Sequence, residues 1–179
     1  MIDLSASEEP NVTLALVEEH HVPKILEWFA AAHVRRWWGD PRVNASELIW
    51  HRKAGGASGC RVICAGGVPV GYLHWTELGR YFGRAPHGLP DDAIDIDILI
   101  GEAEMTGRGI GSSALGLAVK EIHAVASPPL ISLVTVADNA RAIAAYEKIG
   151  FIRHRTIGDA GSDEALVMTL TPGVQAPGV

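Results

Sequence analysis

The stretch "AIDIDILIG", residues 93–101, constrains the fold more than any other part of the chain. Its alternating isoleucines are a strand signature, because β-branched side chains fit a pleated surface. Successive side chains on a strand point to opposite faces. Ile94, Ile96, Ile98 and Ile100 therefore share one face, and Asp95 and Asp97 share the other. An unpaired carboxylate inside a protein costs several kcal/mol or takes up a proton. The strand is thus not one buried in apolar surroundings on both sides, as interior strands of α/β sheets usually are. Its acidic face meets either solvent or a cleft.

The next segment, "EAEMTGRGIGSSALGLAV", runs through a glycine loop into a helix. Gly107, Gly109 and Gly111 allow close backbone approach, and the amides of Arg108 to Ser113 point into the space before the helix. Free amides, the helix dipole and the charge of Arg108 together make an anion site. A flexible turn is the other reading of such a triplet taken alone. No Gly-Lys-Ser/Thr follows, so this is not a Walker loop, and G-x-G-x-G is not the dinucleotide fingerprint. A pyrophosphate bound without a metal fits better, and coenzyme A carries one.

The remaining pattern places this unit in an α/β domain. Strands are expected at 11–17, in a hairpin over 61–78, at 130–136, and in a closing hairpin of "FIRHRTI" and "EALVMTL". Helices are expected at 18–34 with Pro23 in the first turn, at 46–54 capped by Ser46, at 112–126 and at 139–150. Residues 35–44 and 79–92 read as loops. Several strands precede the glycine loop without intervening helices, which argues against a doubly wound dinucleotide fold. A chain of 179 residues suits one domain. It is expected to span 1–171, with 172–179 as a flexible tail.

Two motifs carry a resemblance to the GCN5-related N-acetyltransferase superfamily. "TGRGIG" resembles its acyl-CoA pyrophosphate loop, Q/R-x-x-G-x-G/A, with Thr106 in the Gln/Arg position. "DNARAIAAYEKIGF" (138–151) is similar to its N-x-x-A-x-x-x-Y-x-K-x-G-F helix. The resemblance implies a mixed central sheet of six to seven strands flanked by about four helices, with acyl-CoA bound where the central strands splay. It implies that Thr106, Gly107, Arg108, Gly109, Ile110, Gly111 and Ser112 hold the pyrophosphate, and that Asn139 bonds the pantetheine arm. Backbone amides near Leu99 or Ile100 would hold the oxyanion, and Tyr146 would protonate the departing thiolate. By spacing alone, Tyr146 is equally a core aromatic.

Within the superfamily, "EWFAAAHVRRWWGD" (27–40) is similar to the W…H-x-x-x-WWG segment of aminoglycoside 6′-N-acetyltransferases, and "VPVGY" (68–72) to their hairpin strand. That likeness implies an acceptor contact at Trp38 and, ten residues before Gly107, a catalytic base at Asp97. Asp95 would be a second contact for a cationic substrate, with Trp75 and Glu77 as further candidates. Trp37 and Trp38 would otherwise serve as a structural plug. The subfamily's Asp-Pro pair after the fifth strand is missing from "VTVADN", which leaves Asp138 to supply that contact.

The expected activity is transfer of an acetyl group from acetyl-CoA to a primary amine, foremost the 6′-amine of an aminoglycoside. The alternatives are another amine or hydroxylamine, of polyamine or siderophore type, or acyl-CoA binding without catalysis. Residues 85–107 contain six Asp and Glu and no Lys or Arg, a field that suits a small cationic substrate and repels nucleic acid. No apolar run is long enough to span a membrane, and the acidic start is neither a signal nor a transit peptide, so a cytoplasmic location is expected. Cys60 and Cys64 read as small buried hydrophobes, and no Cys/His cluster has zinc-ligand spacing, so no metal is expected. The sequence leaves monomer and homodimer open.

Overall fold

The computed structural model describes residues 11–158 and 164–171; the expected tail at 172–179 lies outside them. Seven strands form one sheet: β1 (Val12–Leu16), β2 (Gly59–Ala65), β3 (Val68–Glu77), β4 (Ile94–Ile100), β5 (Ile131–Val136), β6 (Ile152–Ile157) and β7 (Ala165–Leu170). Their spatial order is β1-β2-β3-β4-β5-β7-β6, and only the β4–β5 pair is parallel. A parallel pair needs a crossover, which α5 (Ile110–Val125) supplies. The other helices are α1 (Val22–Ala30), α2 (Ala32–Trp38), α3 (Pro41–Lys53), α4 (Leu78–Phe82) and α6 (Ala140–Ile149). Among the described residues no helix is long and apolar enough to cross a membrane.

Among the described residues the sheet agrees with the expected strands, and six α-helices flank it where about four were expected. The helix expected at 18–34 breaks at Ala31, whose ψ of 135° is extended, so α2 starts afresh. The expected loop at 35–44 is mostly helical, because Asp40 caps α3. Its carboxylate accepts from the Arg42 amide at 2.9 Å, and Pro41 occupies the first turn, where a missing N–H costs nothing. Ser46 is therefore no cap; it lies inside α3 and its hydroxyl donates to the Arg42 carbonyl. The short helix α4 lies where the loop at 79–92 was expected to begin.

Two cores flank the sheet. Ile94 and Ile96 lie with Ala114, Leu115, Ala118 and Ile122 of α5 and Ile143 of α6, and Ile98 and Ile100 pack against the same cluster. All four isoleucines thus share a face, as their alternation requires. On the other face, Leu99 and Tyr72 join Ile25, Trp28 and Phe29 of α1 and Leu48 of α3.

The sheet parts in the middle. β4 stays registered with β3 from Glu77↔Ile94 to Gly71↔Ile100, and β5 stays with β7 over its whole length. Between β4 and β5 only Ile94↔Ile131 and Asp95↔Ser132 pair. Beyond Asp95 the two strands diverge, and Asp97 is the next residue on the acidic face.

Candidate active site

The divergence opens a cavity of about 620 Å³, within the usual size of a small-molecule site. Its walls are the free end of β4, Val134 and Thr135 of β5, the start of α5, one face of α6, and α2 with α3. One half is rich in backbone amides and glycine, the other in aromatic and acidic side chains.

The glycine half begins at β4. The Ile94 amide donates to Leu130 O on the β5 side, and the Gly101 amide donates to Val70 O on the β3 side. Strand amides alternate in direction, so those of Ile98 and Ile100 face the gap, where no strand pairs with them. The Leu99 amide faces β3 instead. Gly107 and Gly109 have φ of 76° and 79°, a left-handed region that costs glycine nothing. Gly109 is the N-cap of α5, so the amides of Ile110, Gly111 and Ser112 have no intrahelical acceptor. A Cβ at Gly107, Gly109 or Gly111 would meet no protein atom within 4 Å. This is a cradle of donors open to a ligand, and it fits a pyrophosphate. The Ile110 side chain is buried in the core, which leaves only its amide for binding. Arg108 is exposed and does not line the cavity.

Along α6, Asn139 caps the helix by accepting from the Ala142 amide at 3.3 Å, leaving its own NH₂ group as a donor. Arg141, Ala144, Ala145 and Lys148 line the cavity at helical spacing, adding two cations that the sequence reading did not single out. Tyr146 lines it as well. Burial raises its phenol above the ordinary range, and the carboxylates of Asp97 and Asp95 raise it further, so the hydroxyl keeps its proton.

At the junction of the halves stands Asp97, with its side chain 40% exposed and Oδ2 at 3.3 Å from Nε2 of His74. Beyond it lie His33, Trp37, Trp38, Asn44 and Glu47. Trp38 is half-buried, stacked on Phe29 at 5.7 Å and edge-on to His74 at 5.9 Å between ring centroids. His33 Nε2 is 3.1 Å from the Ile100 carbonyl oxygen, and Tyr81 donates its hydroxyl hydrogen to Glu47 at 3.2 Å.

Four expected acceptor contacts lie elsewhere. Trp75 is opposite Ile96 in the β3–β4 register and is buried in the α5 core, 2% exposed. Glu77, of the same parity, pairs with Ile94 at the far end of β3. The acidic face of β4 is matched instead by Tyr72, His74 and Thr76. Asp138 is exposed in the turn after β5 and does not line the cavity. Asp95 sits where β4 and β5 still pair, and its Oδ1 is 2.5 Å from Ser132 Oγ.

Desolvation, aided by the Asp97 charge, pushes the Asp95 carboxyl well above the usual 3.8. The folded state therefore binds this proton more tightly than the unfolded state, and stability falls as pH rises from 3.8 through the raised value. Asp95→Asn is accordingly expected to raise the melting temperature at pH 7, with the gain shrinking toward zero below about pH 4. Thermal unfolding of both proteins across that range measures this.

The model of the acetyltransferase (GNAT) domain family matches residues 17–158. The chain belongs to the GNAT acetyltransferase family. Among curated GNAT relatives, the aminoglycoside N(6′)-acetyltransferase type 1 of Klebsiella pneumoniae is 26% identical over 163 residues, covering 82% of this chain and 77% of the relative. Among solved structures, aminoglycoside acetyltransferase AAC(6′)-Ib in complex with coenzyme A superposes with a TM-score of 0.76 at 25% identity, covering 90% of this chain and 95% of that one. The same enzyme with coenzyme A and kanamycin gives the same TM-score, identity and coverage. The GNAT fold and the motifs that pointed to it thus agree.

Proposed function

We propose that this GNAT enzyme transfers the acetyl group of acetyl-CoA to the 6′-amine of an aminoglycoside. The observation that carries the reading is the position of Asp97. It stands between a donor-lined groove that fits coenzyme A and an aromatic, acidic chamber that fits a polycation. The similarity to aminoglycoside N(6′)-acetyltransferases supports the same acceptor.

When bound, acetyl-CoA supplies an activated thioester. The residues of this chain then divide the work. The amides of Ile110, Gly111 and Ser112, with Gly107, Gly109 and Thr106 shaping the loop, hold the pyrophosphate. Arg141 and Lys148 add positive charge, and Asn139 donates to the pantetheine arm. Glu47 and the faces of Trp37 and Trp38 receive the cationic sugar. An alkyl ammonium is protonated at neutral pH, so Asp97 takes its proton and frees the nitrogen lone pair. The amides of Ile98 and Ile100 donate to the carbonyl oxygen as negative charge gathers there; one such donor is worth about 3 kcal/mol in other enzymes. Leu99 contributes its side chain to the wall, since its amide faces β3. Tyr146 gives its proton to the departing sulfur.

Thiol release from acetyl-CoA, measured with kanamycin, tobramycin, an aminoglycoside carrying a 6′-hydroxyl, spermidine and hydroxylamine, tests the proposal. Turnover is expected with the two 6′-amines and not with the 6′-hydroxyl compound. Faster turnover of spermidine or hydroxylamine would retain the catalytic reading and replace the acceptor. Acetyl-CoA binding without turnover of any amine would favour a binding domain.

A further inference from the structure

Behind Asp97 lies a feature that the proposed chemistry does not use: two buried histidines stacked face to face. His74 on β3 is 6% exposed and His51 on α3 is 3% exposed, and their ring centroids are 3.8 Å apart at an interplanar angle of 25°. His51 Nδ1 is 3.2 Å from Thr76 Oγ1. His74 Nε2 is 3.3 Å from Asp97 Oδ2, while its Nδ1 is buried and has no hydrogen-bond partner among the described residues. Among those residues no three His, Cys, Asp or Glu side chains converge as a metal site.

The unpartnered Nδ1 decides the tautomer. A neutral imidazole carries one N–H and one lone pair. Burying an unpaired N–H is the costlier choice, so Nδ1 is the bare nitrogen and Nε2 carries the hydrogen. Nε2 then turns its hydrogen toward Asp97 Oδ2, 3.3 Å away. Burial holds His51 neutral, with a pKa lowered to about 3. Trp38 closes the edge of the His74 ring.

Resting on the reading of Asp97 as the base, we propose that His74 is its positioning residue. As a neutral donor it fixes Oδ2 and leaves Oδ1 to take the proton of the acceptor ammonium. The titratable groups around the pair are Tyr72 on β3, Cys60 opposite His74 on β2, Asp95 on β4, His51 and Glu47 on α3, Tyr81 on α4 and Tyr146 on α6.

Two substitutions test this. His74→Phe keeps a planar ring and removes the donor; His74→Gln offers an amide N–H near the place of Nε2. In the free enzyme, carboxyl carbon NMR of labelled aspartate at neutral pH, with Asp97 assigned by its loss in Asp97→Asn, should show the Asp97 signal shift in His74→Phe, where its contact with Nε2 is lost. It should stay near the wild-type position in His74→Gln. In turnover, His74→Phe should lose about tenfold in kcat with the KM for acetyl-CoA unchanged. His74→Gln should recover most of the rate. An unmoved Asp97 signal in folded His74→Phe would overturn the proposal. So would a folded His74→Gln enzyme as slow as His74→Phe. If no amine is turned over by the wild type, the acceptor reading fails, while the NMR shift still decides the positioning role.

Discussion

Asp97→Asn is expected to lower kcat by roughly 10² to 10⁴-fold, the range for removing a general base, with acetyl-CoA affinity unchanged. Asparagine matches the shape of aspartate and still offers an oxygen to His74 Nε2–H, so the acceptor chamber should survive. It cannot accept the proton of an ammonium. Only the free-base fraction of the acceptor would then react, and the rate should climb with pH where the wild-type rate is level. Steady-state kinetics between pH 6 and 9, with calorimetric titration of acetyl-CoA, separate the two effects. A kcat within a few fold of wild type would show that water removes the proton and that Asp97 serves only to attract the cation. Asp95→Asn is the matched control. It changes an equally conspicuous carboxylate of the same strand at a point where β4 and β5 are still paired, so it should alter stability and spare turnover.

How far the site was legible depended on which periodicity governed each segment. The alternation in β4 identified the core face and the acidic face, and glycine spacing identified the donor loop, because both signals are local. The choice between Asp95 and Asp97 as cleft residue is not local. It is made by the place where β5 leaves β4, and no residue type marks that point. Trp75 and Glu77 were misplaced by parity. Once β3 is registered on β4, the residues sharing a face with Asp97 are Tyr72, His74 and Thr76. The register lay outside the sequence, yet the odd–even pattern of "GYLHWTE" was in it. The α3 side of the acceptor wall was missed for a different reason. Reading 35–44 as a loop hid a helix starting at Pro41, and from that start Asn44, Leu48 and His51 fall on one buried face with Glu47 beside them. The Asp-Pro pair at 40–41 was the available signal.

Gly101→Ala is expected to destabilise the protein by about 2–3 kcal/mol, as overpacking of a filled core does, and to lower its melting temperature by about 5–10 °C. Gly101 directly follows β4, and a Cβ there would fall inside van der Waals contact with Cγ, Cδ1 and Cδ2 of Trp28. The indole has nowhere to go. It is 3% exposed within the core of α1, and its Nε1–H donates to Glu102 Oε1 at 2.9 Å. Lys24 reaches the same carboxylate at 2.9 Å and, with the indole N–H, holds it below the usual range. Strain at Gly101 is therefore passed to the backbone between β4 and the glycine loop, where the Ile100 amide faces the cavity. The substitution should raise the KM for acetyl-CoA more than that for the amine, because the thioester end of the site moves and the α2–α3 wall does not. Trp28→Leu in the same background should cost less than Trp28→Leu in the wild type, since part of the clash is then relieved. Additive costs would mean that Trp28 and Gly101 are independent and that another contact seats the end of β4.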